Sequence, residues 1–157
     1  MMSTTMQKSQ TFAATVEHAY DVVCTAPLTD IFSRRYLAIG SIAEVTGQEG
    51  EWGSAVGQTR TIRLSDGATM LETLAAVDRP NHFDYAISEL TGPLKMLVSG
   101  IDGHYSFEPD GAGVKVTWRW VVTPKGLAGK LAMPMFAAMW SRYASRAMGQ
   151  ITLLLVA

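Results

Sequence analysis

Hydrophobic alternation is strongest late in the chain. From Val114 to Val122, the residues Val114, Val116, Trp118, Trp120 and Val122 fall on one face, and Lys115, Thr117 and Arg119 on the other. That period of two is the signature of a strand with one buried face. After Thr123-Pro124-Lys125-Gly126 the period changes. Met133, Phe136, Ala137, Trp140, Ala144, Ala147, Met148, Ile151 and Leu155 follow the i, i+3, i+4, i+7 rule of one helical stripe, with Lys130, Ser141, Arg142, Ser145 and Arg146 mostly off it. Pro134 either starts the main helix or kinks it. Two indoles on one strand face need a wide apolar partner, and the terminal helix can supply it.

The upstream pattern predicts short elements. Gln10 to Val16 reads as a first strand, and Thr15 as the N-cap of a helix from Val16 to Cys24, with Glu17 in its first turn. Pro27 interrupts, and Thr29-Asp30 opens a second short helix to about Leu37. Strands follow at Ile42–Gln48, Gln58–Leu64, Thr69–Val77, His82–Glu89 and Leu94–Phe107. Between them stand the glycine-rich loop Gly50–Ser54 with Trp52 looking exposed, the hairpin signal Asp66-Gly67, and breaks at Asp78–Asn81, Thr91-Gly92-Pro93 and Pro109-Asp110-Gly111. Gly100 and Gly103 permit a bend or bulge in the longest strand. Short turns between successive strands make an antiparallel meander.

Composition narrows the function classes. At 157 residues the chain is sized for a single domain, with residues 1–9 as a flexible tail. Hydrophobic residues are 48% and charged residues 17%, an apolar balance that suits an internal cavity or an apolar interface. A net charge of -1 argues against a sequence-independent nucleic-acid binder, and Arg34-Arg35 reads as a solvated helix end. The single Cys24 excludes an intramolecular disulfide and a cysteine zinc cage. The polar N-terminal residues and the lack of a long apolar run point to a cytoplasmic protein without an integral membrane segment. The apolar Leu153-Leu154-Leu155-Val156 leaves a homodimer or another protein partner open.

Several motifs carry a resemblance. Gly57-Gln58-Thr59-Arg60, its strand and the Asp66-Gly67 turn, then Glu72-Thr73-Leu74, Asp78-Arg79-Pro80 and Phe83-x-Tyr85, stand in an order that resembles the START-like, or SRPBCC, superfamily. The likeness is strongest to its polyketide cyclase/dehydrase-like branch and more distant to plant abscisic-acid receptors. It implies an α+β helix-grip fold: a curved antiparallel sheet of about seven strands around a long C-terminal helix, with two short helices between strands 1 and 2. It also implies binding or transport of a small hydrophobic ligand, such as a lipid, sterol-like molecule or polyketide, in an internal cavity. The alternative is a cyclase, aromatase or dehydratase using the same cavity.

In such a cup, strand alternation turns Ile62, Leu64, Tyr85, Ile87, Leu97, Ser99, Ile101, Tyr105, Phe107, Trp118 and Trp120 inward. The helix adds Met133, Phe136, Ala137 and Trp140. These side chains either line a pocket or fill one another's space as core. Arg60 shares the inward parity. Glu72 joins it only if the Asp66-Gly67 hairpin has a three-residue loop, because a two-residue loop shifts the register by one; the resemblance favours the inward choice. An inward Arg60–Glu72 pair is either a structural ion pair or a ligand anchor with acid–base capacity, and Arg60, Glu72, Tyr85 and Tyr105 are the catalytic candidates. His82 and His104 share parity with Asp84 and Asp102, opposite the apolar set, and His18 stands apart. No metal spacing, phosphate loop or nucleophile elbow is present, so no metal and no cofactor is expected. Gly50, Gly53 and Gly57 place a loop across the pocket mouth.

Overall fold

The terminal helix and the sheet it covers organise the molecule. The computed structural model describes residues 3–33 and 39–156. Seven strands form one antiparallel sheet: β1 (Thr4–Phe12), β2 (Ile42–Thr46), β3 (Thr59–Leu64), β4 (Thr69–Asp78), β5 (His82–Ser88), β6 (Val98–Asp110) and β7 (Gly113–Pro124). Their order across the sheet is β1-β7-β6-β5-β4-β3-β2, so the meander from β2 to β7 is closed on its far side by the first strand. Helices α1 (Val16–Thr25) and α2 (Leu28–Ile31) connect β1 to β2, at opposite edges of the sheet, and α3 (Gly126–Leu155) packs along β1 and β7. This is the α+β helix-grip architecture that the resemblance implies.

Differences from the periodicity reading have local causes. β1 starts at Thr4, and residues 4–9, expected to be a flexible tail, form most of it. Only Met6 and Phe12 of this strand are buried. Its order comes from pairing with β7, from Thr4 opposite Val122 to Phe12 opposite Val114, and an apolar count cannot see that pairing. Thr15 caps α1 as expected, its Oγ1 accepting the His18 N–H at 3.1 Å. α2 starts at Leu28; its expected extension to Leu37, and Arg34-Arg35, lie outside the described residues. A 3-10 turn, Pro93–Met96, takes the start of the expected sixth strand.

Glycine matters where two chain segments must touch. A Cβ on Gly129 would stand 2.3 Å from the Leu97 carbonyl oxygen, so only glycine lets the start of α3 dock this closely on the turn before β6. Gly103 is opposite Tyr85 in the β5–β6 register, and a Cβ there would fall 2.0 Å from the Tyr85 ring. Gly103 is thus a slot for a tyrosine rather than a bend. The irregularity lies at Val98/Gly100, where the register with β7 shifts.

Candidate functional site

A cavity of about 160 Å³ lies among β3, β4 and β5, the α1–α2 corner, the Pro93–Met96 turn and the middle of α3. The β3–β4 hairpin fixes its charged wall. Leu64 N–H donates to the Ala68 carbonyl (2.8 Å), which leaves Ser65-Asp66-Gly67 as a three-residue loop. Gly67 takes φ +92°, the left-handed conformation that such a loop needs, and Asp66 Oδ1 accepts the Ala68 N–H at 2.9 Å. In this register Arg60 stands directly opposite Glu72 and both side chains turn inward.

Of the residues expected to line the site, Ile62, Leu64, Glu72, Tyr85, Ile87, Leu97, Tyr105, Trp118, Trp120 and Phe136 border the cavity, as does Arg60. Six do not. Ser99 is thrown outward by the bulge at Val98/Gly100 and its hydroxyl donates to the Thr123 carbonyl at 3.2 Å. Ile101 and Met133 are buried in packed core away from the cavity. Phe107 meets the Tyr20 ring of α1 (centroids 5.2 Å apart). Trp140 wedges against Trp118 (4.9 Å) and Trp120 (5.9 Å). Ala137 packs half-buried against the core. Both readings of the inward set therefore hold, in different places. Where α3 lies on the β7 side the space is filled, and toward β3–β5 it stays open.

The cavity also takes residues that periodicity does not single out. Val23, Leu28, Ile31 and Phe32 come from the α1–α2 corner, whose direction over the sheet no periodicity encodes. Met139 and Tyr143 come from α3, at helical spacing from Phe136. Met70 and Phe83 share the parity of Glu72 and Tyr85 and are legible on that ground. Trp52, expected to be exposed, is buried. Its ring lies under the Arg60 guanidinium, 3.8 Å away, in a cation–π contact. Gln58 ties the loop that carries it, accepting from Gly53 and Ala55 N–H and donating to the Glu49 and Glu51 carbonyls.

The polar groups of the cavity are few and strongly held. Arg60 Nε donates to Glu72 Oε1 at 2.8 Å, with both side chains almost wholly buried. Burial pushes the Glu72 carboxyl up from its usual value, and the Arg60 guanidinium pulls against that without cancelling it. Tyr85 Oη accepts two indole N–H groups, Trp118 Nε1 at 2.7 Å and Trp120 Nε1 at 2.9 Å. Both acceptor positions of the phenol are then filled, and its own proton has no acceptor among the described residues. Burial raises the Tyr85 and Tyr105 phenols well above their usual range, so both stay protonated. Nearby, burial pushes the Cys24 thiol up to about 11, so it is no nucleophile at neutral pH.

The family model described as polyketide cyclase / dehydrase and lipid transport matches residues 3–155. The chain belongs to this family. Members of the same fold are found among solved structures at low identity. Ara h 8.0201 aligns over 99% of each chain with a TM-score of 0.69 and 17% identity. Ginseng major latex-like protein 151 from Panax ginseng aligns over 98% of this chain and 97% of its own, with a TM-score of 0.67 and 14% identity. Protein Ms6760 from Mycobacterium smegmatis gives a TM-score of 0.64 and 19% identity over 97% and 90% of the two chains. At such identities the likeness is one of fold. No curated protein sequence matches the chain. No helix among the described residues is long and apolar enough to cross a membrane.

Proposed function

We propose that this protein binds a small hydrophobic molecule in the cavity and holds it for transport. The observation that carries this is a hollow of about 160 Å³ walled by aromatic and aliphatic side chains, with Tyr85 in its lining, a phenol whose proton has no acceptor among the described residues. An apolar wall with a few fixed polar groups is what orients a greasy ligand. The Tyr85 proton selects a ligand with a carbonyl, ether or hydroxyl oxygen.

Size sets a further condition. Drug-sized ligands occupy roughly 300–1,000 Å³, whereas a dry cavity of about 150 Å³ takes a guest of one ring. The resting cavity suits the latter. A lipid or polyketide enters by displacing the flexible thioethers Met70 and Met139, which line it.

One observation favours catalysis as a second reading. The Glu72 carboxyl, raised by burial, shares the cavity with the Tyr85 and Tyr105 phenols, a set able to move protons during a cyclisation or dehydration.

Native mass spectrometry of the freshly purified chain tests both. A co-purified small molecule, released unchanged and lost in a Tyr85→Phe variant that still folds, supports the carrier. Conversion of an added poly-β-ketone to a ring product supports the enzyme. An empty chain that neither quenches its tryptophan fluorescence nor saturates with any hydrophobic probe rejects ligand binding.

A further inference from the structure

On the outer face of the sheet, away from the cavity, β5 and β6 bring together three ligating side chains. His82 and Asp84 are i, i+2 on β5 and so share a face, and His104 stands directly opposite Asp84 on β6. Their ligand atoms all lie within 4.8 Å of one another. His82 Nδ1 is 3.3 Å from Asp84 Oδ1, and His104 Nδ1 bonds to that same oxygen. The two imidazoles are stacked, with centroids 5.3 Å apart. All three side chains are partly buried. No His or Cys spacing in the sequence signals this site; the strand register creates it.

We propose that His82, Asp84 and His104 form a binding site for a divalent transition-metal ion of the Zn²⁺ type. The donor set, two imidazoles and one carboxylate, matches the preferences of such ions. Bonds of about 2.0–2.1 Å in a tetrahedron put neighbouring ligand atoms roughly 3.3 Å apart, and His82 Nδ1 and Asp84 Oδ1 already have that separation. Asp78 Oδ2 lies 3.7 Å from His82 Nε2, on the far side of the ring. A metal on Nδ1 would leave Nε2 as the protonated nitrogen facing this carboxylate, the side from which an outer-shell partner orients a metal-bound histidine. Two nearby carboxylates outweigh the one positive charge of Arg119, which is opposite His104 on β7. Water completes the coordination shell.

The site stands independently of the ligand reading, because it faces away from the cavity. Its test is titration of the chelator-treated full chain with ZnSO₄ by calorimetry and with CoCl₂ by visible absorption. One equivalent is expected to bind, with the intense d–d bands of a low-coordinate cobalt site. His104→Ala, or His82→Ala, is expected to weaken binding by more than the roughly 10–100-fold that loss of an outer-shell partner causes. In the unsubstituted chain, Zn²⁺ should shift the imidazole NMR signals of His82 and His104 and leave those of His18 in place, a readout that no folding defect can mimic. Absence of saturable one-to-one binding overturns the proposal. So does binding that survives both substitutions or that moves the His18 signals instead.

Discussion

One antiparallel sheet carries two titratable clusters on opposite faces, an inner one on β3 and β4 and an outer one on β5 and β6, and the clusters obey different rules. Inside, Arg60 and Glu72 are paired at 2.8 Å with side-chain exposures of 6% and 5%. Outside, His82, Asp84 and His104 keep 34%, 35% and 24% of their side-chain surface in contact with water. Water screens the outer groups and leaves them exchangeable with an ion. Among the described residues, the inner pair has its own partner, Trp52 and Gln48 to replace lost hydration. A charged group therefore belongs to a contact that neither partner can lose alone on the inner face and to an adjustable one on the outer.

The largest expected effect breaks the inner pair. Glu72→Ala leaves a buried guanidinium without its carboxylate and should cost about 3–5 kcal/mol of unfolding free energy in a urea titration. The double variant Arg60→Met/Glu72→Leu removes both charges at similar volume and should return to within about 1 kcal/mol of the original chain, or exceed it. A double variant as unstable as the single one would mean that the ion pair itself, and not merely its completeness, holds the hairpin.

A smaller effect is expected next door. Gly103→Ala drives a methyl group into the Tyr85 ring, from which its Cβ would be 2.0 Å away. Overpacking of this kind costs about 1–3 kcal/mol. The displaced phenol would release the Trp118 and Trp120 indole N–H groups, so the change should also appear in tryptophan fluorescence. Unaltered stability together with an unaltered spectrum would show that Tyr85 has another position open to it.

These residues also mark how far periodicity alone reaches. The order of strands, the α3 stripe and the inward parity of Arg60, Ile62, Tyr85 and Trp118 follow from periods of two and 3.6. The three-residue hairpin loop, and with it the direction of Glu72, is left open by the residues themselves; only backbone hydrogen bonding decides it. The location of the hollow is not legible in the sequence, because Trp118 and Trp140 have the same pattern whether they face space or each other. Ser99 leaves its expected face through one bulge, and β1 begins early because it depends on a partner more than a hundred residues away (Ser9 bonds Thr117, 108 positions on). The outer cluster is half legible. Parity puts His82, Asp84 and His104 on one face, but the β5–β6 register alone sets Asp84 against His104.

The pH dependence of stability separates the buried pair from an exposed one, Asp21 of α1 with Arg79 of the turn between β4 and β5. Burial raises Glu72 above its usual 4.5, so between that value and the folded-state value the folded chain binds more protons than the unfolded chain. Stability then falls as pH rises through that window and levels off above it, by about 1.4 kcal/mol for each unit of displacement. The surface pair behaves oppositely. The hydrogen bond from Arg79 lowers Asp21 below its usual 3.8, so its contribution is present above 3.8 and is lost as pH falls through the folded-state value. Unfolding curves between pH 3 and 7 should therefore lose the falling segment in Arg60→Met/Glu72→Leu and keep the acid-side loss. A falling segment that persists in the double variant would assign it to another group.

The smallest expected effect belongs to the outer cluster. Asp84→Asn removes the carboxylate that both histidines share while keeping a side chain of the same size and an acceptor oxygen. Partly exposed ion pairs are worth less than about 1 kcal/mol. In metal-free buffer the variant should match the original chain within that margin. In the presence of Zn²⁺ the comparison changes, since an ion bound only by the folded chain stabilises it in proportion to the logarithm of its concentration over its dissociation constant. The original chain should then melt at a higher temperature and the variant should not respond. A loss as large as that of Glu72→Ala in metal-free buffer would mean that the outer face is as dependent on its charges as the inner one, and the contrast between the two clusters would fail.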